Sequence, residues 1–141
     1  SSTYNLHVAD KMWLNKNFKN TILQKIARCD MDSKRYVYSD LGFILLQQVV
    51  EAIVKLPMDL YLAKEFYAPM GLQRTMYLPL LRYSKQEIMP TAANDFLRRQ
   101  DLCGYVHDET AACMGGISGN AGLFSTATEV AKIYQMMANV I

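Results

Sequence analysis

Little in this sequence suits metal or nucleic-acid chemistry. It holds two histidines and three cysteines. His7 and His107 stand far apart, and Cys29, Cys103 and Cys113 form no C-x-x-C pair. A zinc site is therefore not expected, and the thiols read as structural. The net charge is only +2. The adjacent basic pairs are Lys34-Arg35 and Arg98-Arg99 alone, which read as solvated surface and give no footprint for nucleic acid. No apolar run reaches the roughly 18–20 residues that a membrane helix needs. The longest, Leu41 to Leu46 with Val49 and Val50, is broken by Gln47, Gln48 and Glu51. No basic stretch precedes an apolar one at the start, so no signal peptide is read, and a mature or excised piece would look the same. Neither G-x-x-x-x-G-K-[ST] nor G-x-G-x-x-G occurs, so no nucleotide cofactor is called for.

What is present is ordinary for a globular chain. About half of the 141 residues are apolar (51%) and a fifth are charged (20%), enough to build one core. The first dozen residues show no clear period. Phe18, Ile22, Lys25 and Ile26 predict a short helix ending near Cys29, followed by a turn over Asp30 to Ser33. Tyr36-Val37-Tyr38 reads as briefly extended, after which Ser39 or Asp40 can offer a side-chain oxygen to the open N–H groups of a new helix. That helix runs to about Lys55. Leu41, Ile44, Leu45, Val49, Ala52 and Ile53 line one side, and Phe43, Leu46, Val50 and Val54 fill much of the other. A helix apolar nearly all round is expected at the centre of the core, with Leu45 and Val49 closed to solvent.

Pro57 opens the next helix, which Pro69 and Gly71 end. Residues 78 to 90 read as irregular with a helical turn from Ser84 to Ile88. Thr91 to Phe124 reads as a long loop, and loops of that length are often functional. Its end, Gly115 to Gly122, is dense in glycine, as tight turns or close chain approach require. Thr126-Ala127-Thr128-Glu129 then has the capping-box pattern, before a helix carrying Val130, Ile133, Tyr134, Met137 and Ile141 on one face. A chain that stops inside this helix reads as a single incomplete domain over 1–141.

A tyrosine just before a helix N-terminus stands where the helix dipole is positive, and with a lysine beside it such a phenol can serve as a general base. Spacing alone leaves open a core tyrosine and a capping aspartate. Tyr38-Ser39-Asp40-Leu41-Gly42-Phe43, however, resembles the Tyr-x-Asn motif of class C β-lactamases, related esterases and penicillin-binding carboxypeptidases. Leu56-Pro57-Met58-Asp59-Leu60-Tyr61, Phe66 to Leu72 with Thr75, Gly115-Gly116-Ile117, and Gly122 to Thr126 with Glu129-Val130-Ala131 extend the likeness in order. Gly104 to Glu109 is similar to the branch in which such a domain follows a family 3 glycoside hydrolase in an envelope polypeptide.

The resemblance implies the helical subdomain of a β-lactamase/transpeptidase-like fold, mainly α and lacking most or all of the central antiparallel sheet. It implies Tyr38 and Asp40 as catalytic residues, and Gly116, Ser118, Asn120 and His107 as substrate-binding ones. It implies no cofactor or metal, an acyl substrate (β-lactam, peptide or ester) in the intact protein, and a bacterial periplasmic or envelope location.

The family's reaction also needs a nucleophilic serine in S-x-x-K and a K-T-G or H-x-G strand. Here no serine has a lysine three residues later, and no K-x-G or H-x-G occurs. The chain alone is therefore expected to be inactive. Asp40, where many members have asparagine, accepts hydrogen bonds but cannot donate them when ionised, which favours an ester or amide substrate over penicillin. Two alternatives stay open: a non-catalytic accessory or cell-wall-binding module of an envelope glycoside hydrolase, and an unrelated helical interaction domain. With covering layers absent, Tyr36, Tyr38 and the Ile117 to Phe124 loop are expected to present a surface for a homodimer.

Overall fold

The computed structural model describes residues 3–30 and 36–139. Met31 to Ser33 of the expected turn, the Lys34-Arg35 pair and Ile141 lie outside them.

The chain opens with a hairpin. Tyr4–Ala9 (β1) and Met12–Asn15 (β2) run antiparallel, with Leu6 opposite Leu14 and His7 opposite Trp13. Val8 and Ala9 are buried, and Val8 packs with Val106, Ala111 and Ala112, flanked by Met12, Leu14 and Ala121. On the other face the His7 and Trp13 rings stack almost parallel, 4.7 Å apart. No period is legible here because two register shifts interrupt the alternation. The turn at Asp10-Lys11 also carries no glycine, and Lys11 itself takes the left-handed conformation (φ 58°).

Helix α1 (Phe18–Ala27) follows the expected span. Helix α2 (Leu41–Val54) ends on Lys55, which takes the left-handed conformation usually given to glycine. Behind Pro57, α3 (Met58–Leu62) runs on into a π-helical turn, Ala63–Tyr67. Strand β3 (Met76–Tyr77) precedes two 3-10 turns, Pro79–Leu81 and Lys85–Glu87, the second closed by a Ser84/Glu87 capping box. Strand β4 (Pro90–Ala92) pairs with β5 (Leu102–Cys103). Helix α4 (Glu109–Cys113) is capped by Asp108. Strand β6 (Leu123–Phe124) returns to pair with β3, and α5 (Ala127–Ala138) closes the described chain.

The expectation of a mainly α chain is corrected. Among the described residues, helix of all kinds makes up 43% and strand 14%, the strands lying in three separate two-stranded antiparallel sheets. The long loop expected over Thr91 to Phe124 contains α4, β5, β6 and most of β4. Strands of two or three residues are too short to show a period of two, so their pairing is invisible until the chain is folded.

Burial on α2 also departs from expectation. Ile44 and Gln47 are buried, whereas Leu45 and Val49 are 44% and 52% exposed. Apolar residues on all sides of a helix state what it could bury. How much it does bury depends on its neighbours, which here cover one face of α2. No single helix among the described residues is long and apolar enough to cross a membrane, and α2 with the helical segment after it bends by 69°.

Charged groups hold the loops where apolar packing is thin. Arg98, almost wholly buried, donates to both carboxylate oxygens of Asp95 (2.8 and 2.7 Å) and to the carbonyls of Val106 and His107. The Arg98 hydrogen bonds hold the Asp95 carboxyl down at about 2. Glu129 on α5 accepts from the N–H groups of Gln73 and Arg74 and from the Thr75 hydroxyl (2.6 Å). The capping box is thus half formed: Thr126 accepts the Glu129 N–H at 3.4 Å, but the glutamate reaches across the fold instead of back to Thr126.

The burial difference on α2 sets a direct test. Ile44→Ala should lower stability by roughly 2–5 kcal/mol, and Leu45→Ala by about 1 kcal/mol or less, in urea unfolding. Equal losses would mean that Leu45 is a core residue after all.

Candidate functional site

Tyr38 lies in the irregular segment leading into α2 and is 68% exposed. Its hydroxyl donates to Asp40 Oδ1 at 3.1 Å. Ser39 Oγ accepts the Leu41 N–H at 3.3 Å, so the serine covers one open N–H of the first turn. Asp40 stands at the N-cap position but makes no side-chain cap bond, because its carboxylate is turned to the tyrosine. The Tyr38 ring also leans on Phe43, with centroids 6.3 Å apart. The local sequence therefore holds the phenol at the open, positive end of α2, beside a carboxylate and in reach of solvent.

The hydrogen bond to Asp40, with the negative charge behind it, pushes the Tyr38 phenol above its ordinary value. A cation placed against Asp40 would weaken that upward push.

The glycine-rich segment is built separately and brought to the same helix. Gly116 and Gly122 both adopt left-handed backbone angles (φ 82° and 109°), and a Cβ on Gly122 would collide with the Gly116 carbonyl oxygen. Only glycine closes the loop this tightly. Ser118 is buried, and its hydroxyl donates to Asn120 Oδ1 at 2.6 Å. Asn120 Nδ2 donates to Asp108 Oδ1 at 3.1 Å, and Asp108 also caps α4 through the Ala111 N–H. His107 precedes that cap, is exposed, and gives its carbonyl to Arg98. The fold thus gathers Gly116, Ser118 and Asn120 into one loop and ties it to the His107-Asp108 corner, while Tyr38 and Asp40 pair at the N-terminus of α2. Gly119, between Ser118 and Asn120, lies against the Phe43 carbonyl, where a Cβ would collide.

Sequence reading passed over Gln47 and Asp108. Gln47 accepts the Gly119 N–H at 3.0 Å. The signal available was a polar residue inside an otherwise apolar helix. Asp108 could have been found as a capping residue before a short helix.

A cleft of about 540 Å³ lies elsewhere, lined by Arg74, Met76, Tyr83, Phe124 and neighbours, and contains none of these residues. Among the described residues, no three His, Cys, Asp or Glu side chains gather as metal ligands would.

The Tyr38–Asp40 bond makes a titration prediction. In Asp40→Asn the Tyr38 phenol should titrate at lower pH than in the unchanged protein, because the carboxylate that raises it is gone. Tyrosine-selective NMR resolves this among the nine tyrosines. An unchanged or higher midpoint would show that Asp40 does not govern the phenol.

Known proteins share this arrangement of sequence. The family model described as Beta-lactamase matches residues 1–140. A protein of Escherichia coli (strain K12) named "Putative D-alanyl-D-alanine carboxypeptidase" is 35% identical over 136 residues, covering 86% of this chain and 31% of that protein. Proteins of the same name from Salmonella agona and Salmonella schwarzengrund are 32% and 33% identical over 154 residues, covering 93% of this chain and 36% of theirs. The chain spans about a third of the length of these curated relatives. No solved structure matches it. On the family match and the ordered motifs around Tyr38, the chain belongs to the beta-lactamase family, within the superfamily of serine hydrolases that includes the penicillin-binding proteins.

Proposed function

We propose that this chain is one part of a single serine acyl-hydrolase domain and supplies the Tyr38-Asp40 pair and the glycine-rich wall of its site. The observation that carries the reading is the Tyr38 hydroxyl, exposed at the N-terminus of α2 and bonded to Asp40, inside a stretch with the family's motif. The reaction class is transfer of an acyl group from an amide or ester to a serine and then to water. The substrate class we favour is a peptide with a D-alanyl-D-alanine end, the substrate that the relatives' names state. The relatives' bacterial sources suit a periplasmic or envelope location.

In this reading the roles divide as follows. Asp40 receives the ammonium group of an S-x-x-K lysine, which neutralises the charge now raising the Tyr38 phenol. Tyr38 then passes a proton between the serine hydroxyl and the leaving group. Gly116, Ser118 and Asn120, with His107 at the adjoining corner, line the substrate side. Asn120 Nδ2 and Ser118 Oγ would have to exchange their present partners for substrate atoms.

Isolated, the chain should hydrolyse nitrocefin, p-nitrophenyl acetate and a D-alanyl-D-alanine-terminated peptide no faster than buffer, having neither nucleophile nor strand motif. The polypeptide of relative-like length that carries this sequence should turn over the peptide or ester, and Tyr38→Phe should lower kcat by roughly 10²-fold or more. Saturable turnover by the isolated chain would contradict the first statement. Inactivity of the longer protein on all three compounds would favour the non-catalytic envelope module instead.

Self-association follows from the exposed side of α2. Phe43, Leu46, Val49 and Ile53 stand open to solvent there, with Tyr36 and Tyr38 nearby in sequence, and burial of such a patch between two copies is favourable by about 25 cal/mol per Å² before the costs of association. We expect the isolated chain to form a dimer in light scattering, and Val49→Lys with Ile53→Lys to return it to a monomer. A monomer at every accessible concentration would refute the dimer.

A further inference from the structure

Gln47 is the polar residue most at odds with its place in the sequence. It stands mid-way along an apolar helix and is 2% exposed, yet both ends of its amide are engaged. Oε1 accepts the Gly119 N–H at 3.0 Å. Nε2 donates to Glu51 Oε1 at 3.0 Å and reaches the Ile117 carbonyl at 3.4 Å. Glu51 in turn accepts the Met58 N–H at 3.0 Å and faces Lys19 at 3.9 Å. A buried amide is tolerated when its hydrogen bonds are met, and here they are met by the loop on one side and the helix on the other.

We propose that Gln47 is a positioning residue that sets how closely the glycine-rich loop rides on α2, and so fixes Ser118 and Asn120 relative to Tyr38. The loop is held from outside by the Asn120–Asp108 bond and from inside by the Gln47–Gly119 bond. Gly119 has no room for a Cβ: it would strike the Phe43 carbonyl oxygen and approach Gln47 Cβ to 3.2 Å. Phe43 is also the residue whose ring meets Tyr38. The path from Gln47 to the phenol is therefore short: Gly119 is pinned, its backbone sits on Phe43, and Phe43 borders Tyr38. The functional meaning of this arrangement rests on the acyl-hydrolase reading above, whereas the pinning itself does not.

The test uses amide hydrogen exchange and NOEs in isotopically labelled protein, so it needs no catalysis and can fail separately from the acyl-hydrolase reading. Gln47→Met keeps the bulk of the side chain and removes its amide. It should lower protection of the Gly119 amide at least tenfold and weaken the NOEs from Gly119 to Phe43, while the amides of Ile44 to Glu51 stay protected. Gly119→Ala, with Gln47 intact, should lose the same NOEs. Gln47→Glu supplies a rescue, because it removes the amide NH2 but keeps an oxygen for the Gly119 N–H; it should preserve Gly119 protection better than Gln47→Met. Unaltered Gly119 protection in Gln47→Met would overturn the proposal. So would loss of protection along all of α2, or a Gln47→Glu variant that matches Gln47→Met.

Discussion

The Glu129 carboxylate is the constraint on which the placing of the other parts depends. It sits in the first turn of α5, nearly buried, and takes the N–H groups of Gln73 and Arg74 and the hydroxyl of Thr75. Burial alone would push this carboxyl up, but the hydrogen bonds from Thr75, Arg74 and Gln73 outweigh it and hold it below its usual range. An ionised acid is thereby stable inside the fold. Its consequence is geometric: residues 73–75 are drawn to the start of α5, so that β3, which follows them, meets β6, which precedes that helix. The end of the glycine-rich segment at Gly122 runs straight into β6. The loop is thus anchored at its far end by Glu129, at its middle by Gln47 and Asp108, and can present Ser118 and Asn120 at a defined place.

Polar anchoring of this kind explains what could be read from the sequence and what could not. Helices α1, α2 and α5 were legible because each is long enough to repeat its apolar spacing, and Thr126 announced the start of α5. The hairpin β1–β2 was not legible, since its register shifts erase the alternation and its turn lacks glycine. The paired strands of two and three residues carry no pattern at all. Their partners were selected by side chains distant in sequence, such as Glu129 reaching residue 75. Leu45 and Val49 mark a different limit. Their spacing describes an apolar surface correctly, but which part of it is covered depends on neighbours that spacing cannot supply.

The candidate site divides in the same way. The likeness of Tyr38 to Phe43 to a known motif singled out the tyrosine and the aspartate, and the two are joined directly. The same likeness pointed to the loop residues but not to their support. Asp108 and Gln47 were missed because their work is done on backbone and amide groups elsewhere in the chain. Asp40 is the informative departure. An asparagine could donate to a substrate, whereas this aspartate accepts from Tyr38 and pushes the phenol above its ordinary value.

In the acyl-hydrolase reading proposed above, the covalent acyl-enzyme forms on a serine outside residues 1–141. The most direct measurement is intact-mass analysis of a polypeptide of the relatives' length that carries this sequence, after brief exposure to a slowly deacylating β-lactam or an activated ester, followed by peptide mapping of the adduct. The account predicts a single acyl adduct on a serine followed three residues later by lysine, formed more slowly in Tyr38→Phe. An adduct within residues 1–141, or no adduct with either compound, would contradict it.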